Sequence, residues 1–235
     1  MMADLQEFEK NIGVSFKDRG LLEQVFIHRS FLNEHPDVAL ENNERLEFLG
    51  DAVLELIVTE YLYKHFKKSE GELTNLRSAL VNGEKLSQLA KKFSFGDYLK
   101  LSKGEEKSGG KEKQVILASA FEAFLGAFYL EKGLEPVRKF IEKELISDLP
   151  TLIKNGAYID PKTRFQEIVQ EHFGVTPFYK VLKEEGPDHN KTFTVGVYIK
   201  HNLVGTGKGS SKQKAQTEAA INALAQKNNW LPKIN

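Results

Sequence analysis

The sequence predicts two domains of different class: an all-α domain over residues 1–150, a linker over 151–159, and a small α+β domain over 160–228 ordered helix, three strands, helix. Three observations lead there. Apolar residues recur at three- and four-residue spacing through the first two thirds of the chain and then switch to alternation. The switch follows a segment, Leu149 to Pro161, that holds two prolines and a glycine and has little periodicity. Charge changes at the same place: residues 1–155 carry 22 Lys and Arg against 26 Asp and Glu, net −4, whereas residues 156–235 carry 11 against 7, net +4.

In the first domain the periodicity predicts helices over Leu21–Phe31, Glu44–Phe66, Leu73–Phe93 and Lys113–Lys132. In the second it predicts a helix over Thr163–Phe173, strands over Tyr179–Lys183, residues 193–199 and Leu203–Thr206, and a last helix over Ser211–Gln226. The Phe93-Ser94-Phe95 stretch reads as core, and Trp230 has no assignment. With 235 residues and 40% hydrophobic content the chain can bury one good core or two smaller ones. Cysteine is absent, which excludes disulfides and thiolate metal sites and fits a reducing compartment. The first ten residues carry three acids and no long apolar core, and no stretch reads as a membrane insert. The expectation is a soluble cytoplasmic protein without membrane contact.

The most informative local pattern is acidic. Glu44, Glu47, Asp51 and Glu55 recur at intervals of three, four and four, which stacks four carboxylates on one helix face among Leu46, Leu49, Val53, Leu56 and Ile57. Such like-charge neighbours cost about 0.2–0.5 kcal/mol per pair in water and roughly 3 kcal/mol where solvent is half excluded. The pattern is therefore either a solvated stripe or a cation site, and Phe48, Leu49 and the helix-breaking Gly50 within it favour the second. A second acid is isolated: Glu122 is the sole charge from Gln114 to Leu130, on a helix apolar nearly all round. A buried carboxylate there is protonated, paired or metal-bound. If the two helices pack together, three or more oxygens converge, and an oxygen-only set favours Mg²⁺ or Mn²⁺ over zinc.

These residues carry a resemblance. The run Asn43-Glu44-Arg45-Leu46-Glu47-Phe48-Leu49-Gly50-Asp51-Ala52-Val53 is similar to the signature of bacterial ribonuclease III. Further matching pieces follow the family order: Leu21-Leu22 with His28-Arg29-Ser30, Glu70-Gly71-Glu72-Leu73, Leu76 to Asn82, Gly109-Gly110-Lys111, Ile116-Leu117-Ala118 and Phe121-Glu122-Ala123. Residues 160–228 resemble the double-stranded RNA binding domain that follows the nuclease domain in that family. The fold implied is an all-α endonuclease domain followed by an αβββα double-stranded RNA binding domain.

The resemblance implies that Glu47, Asp51 and Glu122 bind Mg²⁺, with Asp51 and Glu122 the critical pair and Glu44 and Glu70 supporting acids. It implies staggered cleavage of double-stranded RNA to 5′-phosphate and 3′-hydroxyl ends, in the processing of rRNA precursors and mRNA. It further implies a homodimer, with Phe48 plugging a pocket on the partner, although Phe48 also reads as an ordinary core residue. RNA contacts are implied at Thr163, Gln166 and Glu167 on the first helix of the second domain, at His189 in its loop, and at Lys212, Gln213 and Lys214 on its last helix. Arg77 and Lys111 read as phosphate contacts or as solvated bases. Two positions depart from the family pattern: Gln213 stands where a base is usual, and Ser119 stands where an Asp is expected, a weaker ligand with one charge fewer. Ser119 keeps open a rival reading, a double-stranded RNA binding protein that has lost cleavage.

Overall fold

The computed structural model describes residues 4–155, 158, 160–187 and 191–232. The chain divides into two compact units, residues 1–158 and 159–235.

The first unit is helical: α1 (Leu5–Ile12), α2 (Arg19–Val25), α3 (Arg29–Glu34), α4 (Glu44–His65), α5 (Glu70–Leu80), α6 (Gly83–Lys92), α7 (Phe95–Tyr98), α8 (Lys103–Lys107), α9 (Gln114–Lys132), α10 (Leu134–Glu144) and α11 (Leu149–Asn155). Local chemistry sets most of the boundaries. Asp4, Asp18, Asn82 and Ser102 each accept a backbone N–H as N-caps, Ser69 and Glu72 form a reciprocal capping box, and Gly13 closes α1 in the left-handed region. At the centre stands α9, with eleven of its nineteen residues buried. Phe124 packs at ring-centroid distances of 5.7–6.1 Å against Phe8, Phe16, Phe95, Phe128 and Phe140. Among the described residues α9 is the helix long and apolar enough to cross a membrane, and most of it is enclosed by its neighbours.

What brings α4 onto α9 is the absence of side chains. A Cβ on Gly50 would lie 1.8 Å from the carbonyl oxygen of Glu122, and one on Gly126 would lie 2.2 Å from that of Leu46. The two backbones touch at these glycines, closer than any residue with a side chain permits.

Three expectations are corrected here. The single helix over Leu21–Phe31 is two, because Ile27 leaves the helical path to pair in parallel with Lys100, with Lys100 N–H donating to Phe26 O and His28 N–H to Lys100 O. The helix over Leu73–Phe93 is also two, because the Asn82 side chain accepts from Lys85 N–H and starts a new one. Residues 151–155, read as the beginning of the linker, belong to α11 (Leu149–Asn155). Pro150 is tolerated in a first turn, Leu149 is buried, and Leu152 and Ile153 pack on the helical core.

The second unit runs α12 (Pro161–Phe173), β1 (Phe178–Glu185), β2 (Thr192–Ile199), β3 (Asn202–Gly209), α13 (Lys212–Ala225) and α14 (Lys227–Trp230), with an antiparallel sheet ordered β1-β2-β3. Its core joins Phe165, Val169, Val197, Ile199 and the alanine stripe Ala219, Ala220 and Ala223. The alternating Gly205, Gly207 and Gly209 of β3 face α13, the first two against Ala219 and the third against Lys214 and Ala215, and a Cβ on any of them would lie 2.2–2.7 Å from that helix. Trp230, unassigned from sequence, is a core residue: its Nε1–H donates to Ala223 O at 2.7 Å and its ring packs edge-on against Phe165.

Gly126→Ala should lower the midpoint of urea unfolding, since overpacking a tight contact costs about 1–3 kcal/mol. A midpoint equal to wild type would count against the backbone contact between α4 and α9.

Candidate functional site

The glycine contact decides which side chains meet. Glu47 and Asp51 flank Gly50 on α4, while Ser119 and Glu122 lie two turns and one turn before Gly126 on α9. Ser119 Oγ–H donates to Glu47 Oε1 at 2.8 Å, which places the departing position inside the acidic group. The Glu122 carboxyl is pushed up to about 7, first by burial and then by the charges of Asp51 and Glu47. No cationic side chain among the described residues pairs with Glu47, Asp51 or Glu122.

The acidic wall predicted on α4 is shorter than its sequence. Glu55 pairs with Arg77 of α5 at 3.0 Å, and Glu44 pairs with Arg29 of α3 at 3.6 Å and accepts from Asn42. Arg77 also donates to Thr59, so this guanidinium is engaged inside the domain, and Lys111 is paired with Glu106 at 2.7 Å. Glu70 opens α5 and lines a separate groove of about 460 Å³ with Thr59, Tyr63, Lys68, Thr74 and Arg77. The sequence pattern showed the carboxylates; it held no signal for the arginines that neutralise two of them, which come from other helices.

The arrangement fits a hard divalent cation by its donor chemistry. Three carboxylates and a hydroxyl offer oxygen only, and the charge they share is offset by no ammonium or guanidinium. Among the described residues no three acidic or histidine side chains converge at ligand distance.

Phe48 is 81% exposed, which excludes the core reading. Beside it lies a cleft of about 640 Å³ lined by Leu21, Arg45, Leu46, Leu49 and Leu130. In the second unit Thr163, Gln166 and Glu167 are exposed on α12, and Lys212, Gln213 and Lys214 are exposed at the start of α13, whose N-cap Ser211 accepts from Lys214 N–H. Lys212 is paired with Glu184 at 3.2 Å and lies over the Phe193 ring. His189 lies outside the described residues.

Residues 18–149 match the family model described as Ribonuclease-III-like, and residues 161–227 match the double-stranded RNA binding motif. This chain belongs to the ribonuclease III family. It is similar to Ribonuclease 3 of Nitratiruptor sp., 48% identical over 224 residues that span 95% of this chain and 96% of that one. Ribonuclease 3 of Oceanobacillus iheyensis is 44% identical over 230 residues, 96% and 99% of the two chains. The crystal structure of the nuclease domain of ribonuclease III from Campylobacter jejuni, 41% identical, covers 63% of this chain and 98% of its own with a TM-score of 0.56. A second structure from that organism, described by its structural flexibility in the region involved in dimer formation, is 43% identical with a TM-score of 0.55 over 60% and 98%. The chain is thus an endoribonuclease of the ribonuclease III type that carries a double-stranded RNA binding motif.

Glu122 generates a pH dependence. Its pKa in the fold, about 7, lies above the ordinary 4.5, so between those values the folded chain keeps a proton that the unfolded chain has released. In the presence of a chelator this contribution to stability is complete below about pH 4.5, falls as pH rises, and is gone above about pH 7. Glu122→Gln should flatten that part of the profile of melting temperature against pH in EDTA. An unchanged slope would refute the raised pKa.

Proposed function

We propose that this ribonuclease III hydrolyses double-stranded RNA at the group formed by Glu47, Asp51, Ser119 and Glu122 in a Mg²⁺-dependent reaction, with Mn²⁺ able to substitute. The observation that carries the proposal is the glycine contact, which sets two acids of α4 beside one of α9 with no cation between them. An ion bound there would supply an activated water and a positive charge to offset that of the leaving 3′ oxygen. Asp51 and Glu122 would hold the ion, Glu47 is oriented by the Ser119 hydroxyl, and Glu44 and Glu70 are the supporting acids. Glu122 would have to give up its proton to hold the ion, so affinity for the metal should rise with pH through about 7. Products with 5′-phosphate and 3′-hydroxyl ends, rRNA precursors and mRNA as substrates, and a cytoplasmic location complete the proposal.

The second unit grips the duplex by its A-form shape. Thr163, Gln166, Glu167 and His189 address minor grooves, while Lys214, Gln213 and the free amides at the start of α13 address phosphates across the major groove. Lys212 is shared with Glu184 and contributes less. A homodimer supplies two acidic groups for a staggered double cut, and the exposed Phe48 supports it, because an isolated surface gives so large an apolar ring no partner.

A Mg²⁺ titration of duplex cleavage tests the site. Glu122→Gln should lower the rate by orders of magnitude while duplex binding persists, and Ser119→Asp should reach half-maximal rate at lower Mg²⁺ while melting earlier in EDTA, since the Glu47 hydrogen bond becomes a repulsion. Titrations that coincide for wild type and Ser119→Asp would place the metal elsewhere. Cleavage by the Asp variant alone would favour the reading in which the natural chain binds without cutting.

Phe48→Ala should weaken the dimer, with about 3–5 kcal/mol at stake if the ring is fully buried in the partner. Sedimentation at graded concentration reads this directly; a wild-type monomer at micromolar concentration, or a mutant dimer of undiminished affinity, would refute the placement.

A further inference from the structure

In the His28-Arg29-Ser30 run the arginine pairs with Glu44, but the histidine has no role in the site as built so far, although it stands beside the acidic helix. Asn43 N–H, at the start of α4, donates to Ile27 O at 2.9 Å, so the His28 backbone is fixed one residue from the helix that carries Glu44 and Glu47. The imidazole is then locked by its own loop. Ser30 N–H donates to His28 Nδ1 at 3.3 Å, which makes this nitrogen the N-cap acceptor of α3. Ser30 Oγ lies 2.8 Å from the same nitrogen and itself accepts from Ser102 N–H at 3.1 Å, so the hydroxyl proton also points to Nδ1. A nitrogen that receives two donors carries no proton, and the ring hydrogen is therefore on Nε2.

That Nε2–H has no acceptor within the protein among the described residues, and it is not sealed from solvent. The acids around it are already engaged: Glu105 by Lys113 and Ser108, Glu44 by Arg29 and Asn42, Glu47 by Ser119. Burial holds the His28 pKa below the ordinary 6.5 against the charges of Glu105, Glu44 and Glu47, with Arg29 acting in the same direction as burial. The ring is thus a neutral donor with a fixed direction. A neutral donor suits this place, because a permanent cation would pair with Glu44 or Glu47.

We infer that His28 is a substrate-positioning residue whose Nε2–H donates to an acceptor oxygen of the RNA backbone, a phosphate or a ribose 2′-hydroxyl, next to the bond cut at the acidic group. The inference rests on the cleavage site proposed above. It assigns a contact to the first unit that is separate from the metal-holding carboxylates and from the second unit.

The test separates the cap from the donor. His28→Asn keeps an acceptor for Ser30 N–H, since Asn is among the best N-caps, and removes the outward N–H; His28→Ala removes both. For the full-length protein on a hairpin duplex in Mg²⁺, both variants should raise KM about tenfold with kcat within a factor of two, as expected when a hydrogen bond to the substrate backbone is lost equally in ground and transition states. Melting temperature should fall for the Ala variant alone. Equal KM for wild type and the Asn variant, with a defect confined to Ala, would reduce His28 to a structural cap and overturn the inference. Substrates with a single 2′-deoxyribose near the cut identify the acceptor: a KM difference that persists assigns it to phosphate, and one that disappears assigns it to the hydroxyl. Failure of the wild type to cut at all would instead refute the cleavage site.

Discussion

The contact between α4 and α9 at Gly50 and Gly126 is the constraint from which the first unit follows. Two helix backbones at this distance leave no room for a Cβ, and in exchange they hold the residues on either side of each glycine in a single relation. Glu47 and Asp51 can meet Glu122 only because the residue between them has no side chain. The energetic cost of gathering like charges is covered elsewhere, by the phenylalanine core that α9 builds with α1, α7 and α10. Core and site share one helix, with apolar faces turned to one purpose and a lone carboxylate to the other.

Ser119 alters the electrostatics of that arrangement. With a hydroxyl in place of a carboxylate, the group carries one repulsion fewer, and Glu47 gains a donor in place of a competitor. The residual strain is concentrated in Glu122, whose proton is retained to near neutrality. Such a site trades attraction for a cation against comfort without one.

Much of this was legible in the sequence, for identifiable reasons. Carboxylates at helical spacing and a single acid in an apolar helix are patterns along one element, and the α4 and α9 assignments rest on them. The three strands and the closing helix of the second unit were visible as a change of period. What stayed hidden depends on partners distant in sequence. Arg77 and Arg29 take Glu55 and Glu44 out of the wall; Ile27 abandons its helix for Lys100; Trp230 finds a carbonyl on α13. Asn82 and the glycines of β3 did carry local signals, a cap within a long apolar pattern and a two-residue repeat of Gly, and both were subsumed in the broader periodicity.

The backbone contact has a consequence in time. Loops that carry functional groups can open by themselves at low free energy, but Glu47, Asp51 and Glu122 sit on two packed helices whose separation is limited by main-chain atoms. Parting the two helices at Gly50 and Gly126 would also disturb the phenylalanine cluster that α9 carries, so the relation between these acids is as durable as that core. Adjustment at the site is left to side-chain torsions, which turn over in picoseconds to nanoseconds.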